Sequence, residues 1–461
     1  MTRVFVLGID GAFPEYIFGE WLNDMPNLKK LKDNGSYALL NSTIPPLSVT
    51  AWTSIFTGKS PADTGIFEYI HRENFSTEYK VMTSKNLKEK TIWEIASEHN
   101  KKSGICYALL SWPIKPFNGW MISDSILEST KASLGLVYPK ELKEELESFL
   151  GDVPKKDITD FRNLTNEQII QKVYTLTENQ IKAMKYLIKN KDWDLFFGVI
   201  PLSDRMNHAF WKYLDKKHRK YQPHNKFENT LKDYYKYLDE KVGEIIALLP
   251  KDTTTIILSD HGSQRMHNRF NLTDWLIKNK YVVLKQPVQQ KTFFNLNLVN
   301  WSKTKAFAIG AYEGQVYINL KNREINGIVE KEEYDSLIDE ISAKLLQIKG
   351  DDGSNLNTKI FKKKDFFKGK YQDIAPDMIL YLDNLHYGCN NSIIGNDTEW
   401  NPETKMGADD ATHSLQGIFI INKQAMNVNN LGEISYLDVA PTILHELKIK
   451  IPEDMKGKII Q

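Results

Sequence analysis

The sequence predicts an α/β protein with a doubly wound, mostly parallel sheet, and two observations support this prediction. Short apolar runs recur between longer segments of helical period, which is the pattern of buried parallel strands covered by helices on both faces. The chain also has 461 residues, 41% of them hydrophobic, which is enough to bury a large core. The predicted buried strands comprise residues 4–9, 104–109, 195–200, 254–258 and 417–421.

Two segments between these strands predict long helices. Thr165 and Gln168 have the spacing of a capping box, and helical periodicity continues from there to about residue 188. Apolar residues also recur at steps of three and four over residues 227–249, which predicts a helix with one face on the core. Pro250 ends this second helix because it cannot continue the hydrogen-bond ladder.

Composition divides the chain into one core and two additions. Residues 128–191 are helical, charged and poor in strand signal, which indicates a helical insertion. Residues 271–400 mix short strands, such as 315–319, with a helix near 332–348, which indicates a smaller α+β cap lobe. The predicted core domain, which carries the candidate catalytic residues, comprises residues 1–127, 192–270 and 401–461.

Charge and cysteine content exclude several classes of protein. The chain has 60 Lys+Arg against 59 Asp+Glu, a net charge of +1, and no separate basic block, so neither a nucleic-acid-binding face nor charge-driven membrane attachment is expected. Cys106 and Cys389 are too few for a disulfide framework or a cysteine-rich zinc site. No apolar stretch reaches the roughly 18 residues of a membrane span, and no secretory signal is evident. We therefore expect a cytoplasmic protein, with its oligomeric state left open.

Acidic residues follow three of the predicted strands. Asp10 comes directly after the first strand, Asp204 after the third, and Asp260 with His261 after the fourth. The carboxyl ends of parallel strands meet at the edge of a sheet where ligands bind, so we expect these side chains to lie close together. The alternative is that each acidic residue forms a turn or caps a helix.

Two histidines extend this set toward a pair of metal sites. Asp204 and His208 are four residues apart, so a helix places both on one face. His413 precedes the last predicted strand and reaches the same edge if that strand runs antiparallel or if its loop turns back. The two groups of Asp and His residues indicate two metals rather than one, although an Asp–His pair at this spacing is also common by chance.

Ser48 begins a third informative segment. Two prolines precede it, and a run of helical period follows to Gly58. A helix that starts near Ser48 directs backbone N–H groups and its positive end toward the hydroxyl, which suits an anion. The alternative is that Ser48 is only the helix N-cap.

Taken together, these segments resemble the alkaline phosphatase superfamily, and specifically its type I phosphodiesterase/nucleotide pyrophosphatase-like phosphohydrolases. The order of the motifs and their spread over most of the chain carry the resemblance. The five main motifs are residues 8–11, 45–61, 204–208, 259–262 and 412–413. Further landmarks are residues 271–276, 315–320, 375–377, 438–444 and 452–457.

The resemblance implies a two-metal hydrolase with a serine nucleophile, Ser48, which acts on a small-molecule phosphate ester. The metals are expected to be zinc, with manganese as the alternative, and to stabilise the attacking and leaving oxygens. Metal coordination activates the serine hydroxyl, and water activated at the first metal then hydrolyses the phosphoryl-enzyme. The implied ligands are Asp204, His208 and His413 for the first metal, and Asp10, Asp260, His261 and Ser48 for the second.

The sequence departs from the family at three positions. Ala51 stands where nucleotide pyrophosphatases carry an asparagine that holds a phosphate oxygen, which argues against a nucleotide substrate. Thr64 replaces a histidine of many relatives, and nothing in the sequence explains it. Thr50 is a second hydroxyl near Ser48, but the spacing of Ser48 to Gly58 matches the family nucleophile. The alternatives are a phosphomonoesterase, a cofactor-independent phosphomutase, or a metal-stabilised binding protein without turnover.

The charge around Ser48 suggests the bond that is cleaved. Residues 49–58 contain no charged side chain, so a monoester dianion lacks a partner for its second charge. We therefore expect cleavage of phosphodiester or pyrophosphate bonds. Lys115, Arg265 and Arg269 are the candidate substrate-binding residues, because any of them supplies a cation if it folds into the pocket.

Overall fold

The computed structural model shows two compact units. The first contains Met1–Ile66, Thr83–Gln264 and Gly407–Gln461, and the second contains Phe67–Met82 and Arg265–Met406. The structure describes residues 2–124, 135–158, 160–288, 291–310, 312–390, 392–393, 399–401, 409–424 and 428–460. Part of the predicted insertion, residues 128–134 and 159, lies outside the described residues.

A nine-stranded, mostly parallel sheet forms the centre of the first unit, so the predicted α/β fold is confirmed. Across the sheet, the strands are Asn429–Ser435, Ser36–Asn41, Gln416–Asn422, Thr254–Leu258, Val4–Ile9, Leu195–Ile200, Ser103–Cys106, Gly119–Ile122 and Val137–Tyr138. Val4–Ile9 is parallel to both of its neighbours, Leu195–Ile200 and Thr254–Leu258. Gln416–Asn422 is antiparallel to both of its neighbours, and Val137–Tyr138 is antiparallel to the strand beside it.

The predicted strand over residues 104–109 is wrong at its carboxyl end. The observed strand is Ser103–Cys106. Tyr107 and Leu110 have positive φ angles of 60° and 59°, which extended strands do not adopt, so the chain leaves the sheet after Cys106. The strands predicted over residues 4–9, 195–200 and 254–258 have the predicted bounds.

Helices cover the sheet of the first unit. Thr165 accepts a hydrogen bond from Gln168 N, and Thr165 N donates one to Gln168 Oε1, which confirms the capping box. The second long helix, Thr230–Ile246, is shorter than the predicted range of residues 227–249. Phe227 and Leu249 continued the apolar pattern because both pack on the core, but they lie outside the ends of the helix. The α-helices are Pro26–Asp33, Ser48–Thr57, Pro61–Thr64, Ile92–Glu98, Glu141–Leu150, Asn166–Asn190, Leu202–Leu214, Thr230–Ile246 and Val439–Glu446.

The described helices of the predicted insertion belong to the core of the first unit. Leu146, Val173 and Leu187 are fully buried in the same hydrophobic cluster as Phe5 and Ile200 of the central sheet. None of the helices in the described ranges is long and apolar enough to span a membrane.

The second unit has its own antiparallel sheet and hydrophobic core. Its four strands, in spatial order, are Ala306–Ile309, Gly314–Ile318, Met378–Tyr381 and Lys359–Lys362. Three two-stranded pairs join Asn268–Phe270 to Tyr387–Cys389, Thr292–Phe293 to Ser392–Ile393, and Ile70–His71 to Lys80–Val81. Its α-helices are Leu272–Lys278, Lys331–Leu345 and Lys363–Phe366.

Residues 67–82, which the sequence analysis assigned to the core domain, belong to this second unit. Arg72 explains the difference. Its guanidinium forms an ion pair with Glu324 at 2.6 Å and lies 4.9 Å from the ring centre of Phe307 and 5.2 Å from that of Tyr317. A charged pair and two aromatic rings therefore hold the segment on the second unit.

Asp377 is the buried electrostatic centre of the second unit. Its carboxylate accepts hydrogen bonds from Ile318 N at 2.7 Å, from Tyr334 at 2.6 Å and from both terminal nitrogens of Arg323 at 2.6 and 2.7 Å. Lys363 Nζ lies 2.5 Å away. Burial opposes ionisation, but Arg323 and Lys363 outweigh it and lower the pKa of Asp377 to about 2.

Asp377→Asn is expected to destabilise the protein by about 3 kcal/mol at pH 7, because it leaves two cations without their buried partner. Since the folded pKa lies below the ordinary value of 3.8, the stabilisation is complete above the ordinary pKa and is lost as the pH falls toward 2. Urea unfolding of both proteins at pH 7 and pH 3 checks this. A difference that is equal or larger at pH 3 contradicts it.

Candidate active site

The carboxyl edge of the central sheet gathers the acidic residues that the sequence analysis selected. Asp10 directly follows Val4–Ile9, and Asp260 with His261 follows the adjacent strand Thr254–Leu258. Asp204 lies in the first turn of the helix that follows the other neighbouring strand, Leu195–Ile200. Because these three strands are parallel and adjacent, their carboxyl ends bring the side chains together.

His413 reaches this edge because of strand direction. It lies in the strand Ala411–Ser414, directly before Gln416–Asn422. Since Gln416–Asn422 runs antiparallel to Thr254–Leu258, its amino end lies where the parallel strands have their carboxyl ends. This is the first of the two arrangements that the sequence analysis left open.

Asp204, His208 and His413 form one buried group, in which one ligand atom of each residue lies within 4.8 Å of the others. His208 Nε2 is 3.3 Å from Asp204 Oδ1, and His413 Nε2 is 3.6 Å from the same oxygen. Two imidazole nitrogens therefore converge on one carboxylate oxygen, which is an arrangement that a divalent cation can occupy.

Asp10, Asp260 and His261 form a second buried group with the same 4.8 Å limit. His261 Nε2 lies 3.3 Å from Asp260 Oδ2 and 3.6 Å from Asp10 Oδ1. The rings of His261 and His413 stack with their centres 3.8 Å apart. The two groups are therefore neighbours.

Ser48 lies directly at the second group. Its Oγ is 3.3 Å from Asp10 Oδ1 and 3.1 Å from His261 Nε2. The helix Ser48–Thr57 has Leu47 as its N-cap and no side-chain cap, so Ser48 is its first residue and the N-cap alternative is wrong. In the described part of the chain, the Thr50 hydroxyl is buried without a hydrogen-bond partner, and it makes no such contact with the group.

Two glycines let the backbone pass close to this site. A Cβ on Gly8 would come within 2.1 Å of the Trp52 ring, whose Nε1 donates a 2.9 Å hydrogen bond to Asp10 Oδ2. Gly11 has a φ of +67°, and its N–H donates to Asp260 Oδ1 at 3.2 Å. The turn after Asp10 therefore needs glycine for its left-handed conformation, and it orients Asp10 and Asp260 together.

The histidines of the two groups have acceptors behind them. His413 Nδ1 lies 2.8 Å from the carbonyl oxygen of Pro46, and His261 Nδ1 lies 3.0 Å from that of Gly262. An acceptor at Nδ1 favours the proton on that nitrogen and leaves the lone pair of Nε2 for a metal. His208 Nδ1 lies 3.0 Å from Asp409 Oδ1, a carboxylate–histidine pair of the kind that orients metal ligands.

The residues present fit divalent cations. In the described ranges, the buried Asp260 Oδ2 accepts no hydrogen bond, although it is 3.3 Å from His261 Nε2. Two atoms that both present lone pairs at this distance are stabilised by a proton or a metal cation between them. Carboxylate and imidazole ligands suit zinc or manganese.

The pKa values of the carboxylates and histidines in the two groups are shifted by burial and by the neighbouring carboxylate charges. Burial and the neighbouring Asp204 raise the pKa of Asp10 to about 7, and burial with Asp10 raises that of Asp260 well above its usual range. Burial lowers the pKa of His261 to about 4, so this imidazole is neutral at pH 7, as a metal ligand must be. Burial opposes protonation of His208, but Asp204 and Asp409 raise its pKa to about 9.

The three candidate substrate-binding residues lie in different parts of the protein. Lys115 is half exposed in the first unit, 3.7 Å from Glu94. Arg265 and Arg269 belong to the second unit, where Arg269 is buried and donates to the carbonyl oxygen of Cys389 at 3.5 Å.

Sequence reasoning missed several charged residues around the two groups. Asp409 is fully buried against His208 and also pairs with Arg162 at 3.1 Å. In the sequence, Asp409 belongs to an acidic pair and lies four residues before His413. This pattern does not point to His208, because only the folded chain brings Asp409 and His208 together. Asp157 holds Arg205 through two nitrogens, and Arg205 Nη1 lies 3.6 Å from Asp204 Oδ2. The predicted insertion therefore supplies side chains to the surroundings of the site.

Sequence comparison gives one clear match. A family model described as type I phosphodiesterase/nucleotide pyrophosphatase matches residues 4–401. No curated protein matches the chain.

Solved structures show the same fold at low sequence identity. Phosphonoacetate hydrolase from Sinorhizobium meliloti, in complex with phosphonoformate, is 17% identical with a TM-score of 0.63, covering 97% of this chain and 95% of that one. An inactive variant of murine ectonucleotide pyrophosphatase/phosphodiesterase 5, in complex with AMP, is 12% identical with a TM-score of 0.60, covering 98% and 97%. The human protein of that name is 13% identical with a TM-score of 0.56, covering 99% and 97%.

Proposed function

The chain belongs to the type I phosphodiesterase/nucleotide pyrophosphatase family, whose members are hydrolases of phosphoric ester bonds, and from this premise we propose that it cleaves phosphodiester or pyrophosphate bonds with Ser48 as the nucleophile. The observation that carries the proposal is the position of Ser48 Oγ, 3.3 Å from Asp10 Oδ1 and 3.1 Å from His261 Nε2. A hydroxyl beside a buried group of candidate metal ligands suits attack on phosphorus.

Each residue of the site has a proposed task. Asp204, His208 and His413 hold one divalent cation, and Asp10, Asp260 and His261 hold a second beside Ser48. The cations, expected to be zinc or manganese, lower the pKa of the serine hydroxyl and neutralise charge on the phosphoryl oxygens. The first turn of the helix Ser48–Thr57 presents backbone N–H groups that have no partner within the helix, and these suit a phosphoryl oxygen.

The reaction then has two covalent steps. Ser48 Oγ forms a bond to phosphorus as the bond from phosphorus to the leaving oxygen breaks, and the leaving group departs as an alcohol or a phosphate. Water next forms a bond to phosphorus and breaks the bond to Ser48, which restores the hydroxyl. The intermediate keeps the second substituent of phosphorus, so the second step releases a monoester and frees Ser48 for another cycle.

Metal-dependent hydrolysis tests the proposal. Purified protein is expected to bind up to two divalent metals per chain, and after loading with zinc or manganese to hydrolyse bis-p-nitrophenyl phosphate with a higher kcat/KM than p-nitrophenyl phosphate. Elemental analysis and kinetics under one set of conditions measure both. Under half an equivalent of metal with no activity restored by either ion contradicts the site, and a clear excess for the monoester favours a phosphomonoesterase.

A further inference from the structure

Glu313 is a buried glutamate with one carboxylate oxygen that no described residue satisfies. Its side chain is 1% exposed, and it stands directly before the strand Gly314–Ile318 of the second unit. Oε1 accepts a hydrogen bond from Gln315 Nε2 at 2.9 Å, whereas Oε2 accepts none within the described ranges. Burial raises the pKa of Glu313 to about 7, and no basic side chain of the described residues opposes this rise. Leaving a buried carboxylate oxygen without a partner is costly.

Tyr381 stands opposite Glu313 in the same sheet. The antiparallel register pairs Gly314 with Leu380, so it places Tyr381 opposite Glu313 at the next position. Residues directly opposite each other in an antiparallel pair have their side chains on one face of the sheet. Tyr381 is fully buried, and its hydroxyl forms no hydrogen bond with any described residue. Two buried polar groups on one face therefore both call for an additional partner.

Glu68 brings a second carboxylate to this face. Gln315 is two residues from Glu313, so it lies on the same face, and its Nε2 also donates to the carbonyl oxygen of Phe67 at 3.1 Å. Glu68 directly follows Phe67, and its Oε1 accepts a 2.7 Å hydrogen bond from Tyr69 N. Burial and the charge of Glu313 raise the pKa of Glu68 to about 8, so the two carboxylates repel each other.

The three side chains offer only oxygen donors. Glu68 and Glu313 supply carboxylates, and Tyr381 supplies a neutral hydroxyl. The Cys389 sulfur belongs to the other face, because it lies 3.1 Å from the place of a Cβ on Gly314, which points away from the Glu313 side. Carboxylate and neutral oxygen donors without imidazole or thiolate suit a hard divalent cation, calcium or magnesium, better than zinc.

A proton shared by the two carboxylates is the alternative to a cation. Such a proton relieves the repulsion between Glu68 and Glu313, but it provides nothing for the Tyr381 hydroxyl. A divalent cation neutralises both carboxylates and accepts the hydroxyl oxygen as a further ligand, with water to complete its coordination. Glu68 is only partly buried, so the cation and its water have a route from solvent.

We propose that Glu68, Glu313 and Tyr381 bind a hard divalent cation, calcium or magnesium, at a site separate from the two groups around Ser48. All three residues belong to the second unit, whereas both groups around Ser48 belong to the first. The cation joins the segment Phe67–Met82 to the four-stranded sheet and so stabilises the second unit. This role does not depend on the reaction proposed for Ser48.

Calorimetric titration with calcium tests the site in protein that carries two equivalents of zinc. The zinc occupies the groups with imidazole ligands, so the heat of added calcium reports the carboxylate site. Glu313→Gln is the variant, and Glu333→Gln is the matched control because Glu333 is an exposed glutamate of the same unit. The wild type and the control are expected to bind about one equivalent, and Glu313→Gln to bind at least about tenfold more weakly.

Two further comparisons define the ligands and the ion. Tyr381→Phe removes only the hydroxyl and is expected to weaken calcium binding by about threefold or more. A parallel titration with magnesium shows which of the two ions the site prefers. If the protein retains under half an equivalent of zinc, the proposed function fails, and the calcium titration still decides this site. Equal calcium affinities of Glu313→Gln and Glu333→Gln overturn the proposal.

Thermal unfolding distinguishes a bound cation from a shared proton. At pH 8, saturating calcium is expected to raise the Tm of the wild type by at least about 2 °C and to leave that of Glu313→Gln unchanged. No effect of calcium on the wild type overturns the proposal. A Tm that Glu313→Gln raises at pH 8 but not at pH 5 would then assign a shared proton, because a carboxyl with a raised pKa loses stability as the pH rises through about 7. If Glu313→Gln fails to fold, Glu68→Gln takes its place.

Discussion

Ser48→Ala is expected to lower kcat by about a thousandfold or more while leaving the fold and the metal content intact. The substitution removes the hydroxyl that lies 3.1 Å from His261 Nε2 and 3.3 Å from Asp10 Oδ1, and with it the atom that attacks phosphorus. It removes no helix cap, because Leu47 is the N-cap of the helix Ser48–Thr57. The free energy of unfolding should therefore change by less than about 1 kcal/mol. Steady-state kinetics on bis-p-nitrophenyl phosphate and thermal unfolding measure the two effects.

Thr50→Ala is the matched control for this variant. Thr50 lies two residues further along the same helix, is fully buried, and has a hydroxyl that makes no hydrogen bond to a described residue. Its removal should leave kcat near the wild-type value. An inactive Thr50→Ala protein beside an active Ser48→Ala protein would assign the nucleophile to Thr50 instead.

Asp260→Asn and His413→Ala are expected to fail at different steps. Asp260 belongs to the group that contacts Ser48, so its loss should disable the attack of Ser48 on phosphorus. His413 belongs to the other group, and its loss should slow hydrolysis of phosphorylated Ser48 instead. Each variant should lose about one equivalent of metal and at least about a hundredfold in kcat.

Intact-protein mass spectrometry after mixing with substrate distinguishes the two steps. His413→Ala should accumulate protein with the phosphoryl group and its remaining substituent bound to Ser48, whereas Asp260→Asn should not. Burial and the Asp10 charge raise the pKa of Asp260 well above its usual range, so the asparagine should not destabilise the metal-free protein. More covalent intermediate in Asp260→Asn than in His413→Ala contradicts this division of roles.

The sequence predicted the strands and the helix cap whose patterns lie within a few neighbouring residues. The strands Val4–Ile9, Leu195–Ile200 and Thr254–Leu258 have the predicted bounds because each is a short apolar run bordered by polar residues or turns. The capping box at Thr165 is also a local signal, since its hydrogen bonds join residues three apart. The strand predicted over residues 104–109 was too long, because an apolar sequence does not report the positive φ angle of Tyr107.

The two candidate metal-binding groups were predictable for a related reason. Asp10 and Asp260 come at or just after the ends of buried strands, and His208 is one helical turn from Asp204, so short segments carried the information. The order of these segments added the resemblance to the family, and the match over residues 4–401 confirms that resemblance. Their roles as metal ligands stay predictions for the variants described above.

By itself, the sequence determined which segments are buried, which acidic residues and histidines stand near strand ends, and the family to which the chain belongs. Only the tertiary structure decided that Gln416–Asn422 runs antiparallel and so brings His413 to the site, and that Asp409 lies against His208. The physical reason is that local patterns report the burial and backbone preferences of neighbouring residues. These contacts instead join residues far apart in the chain, and strand direction and packing against the core bring them together.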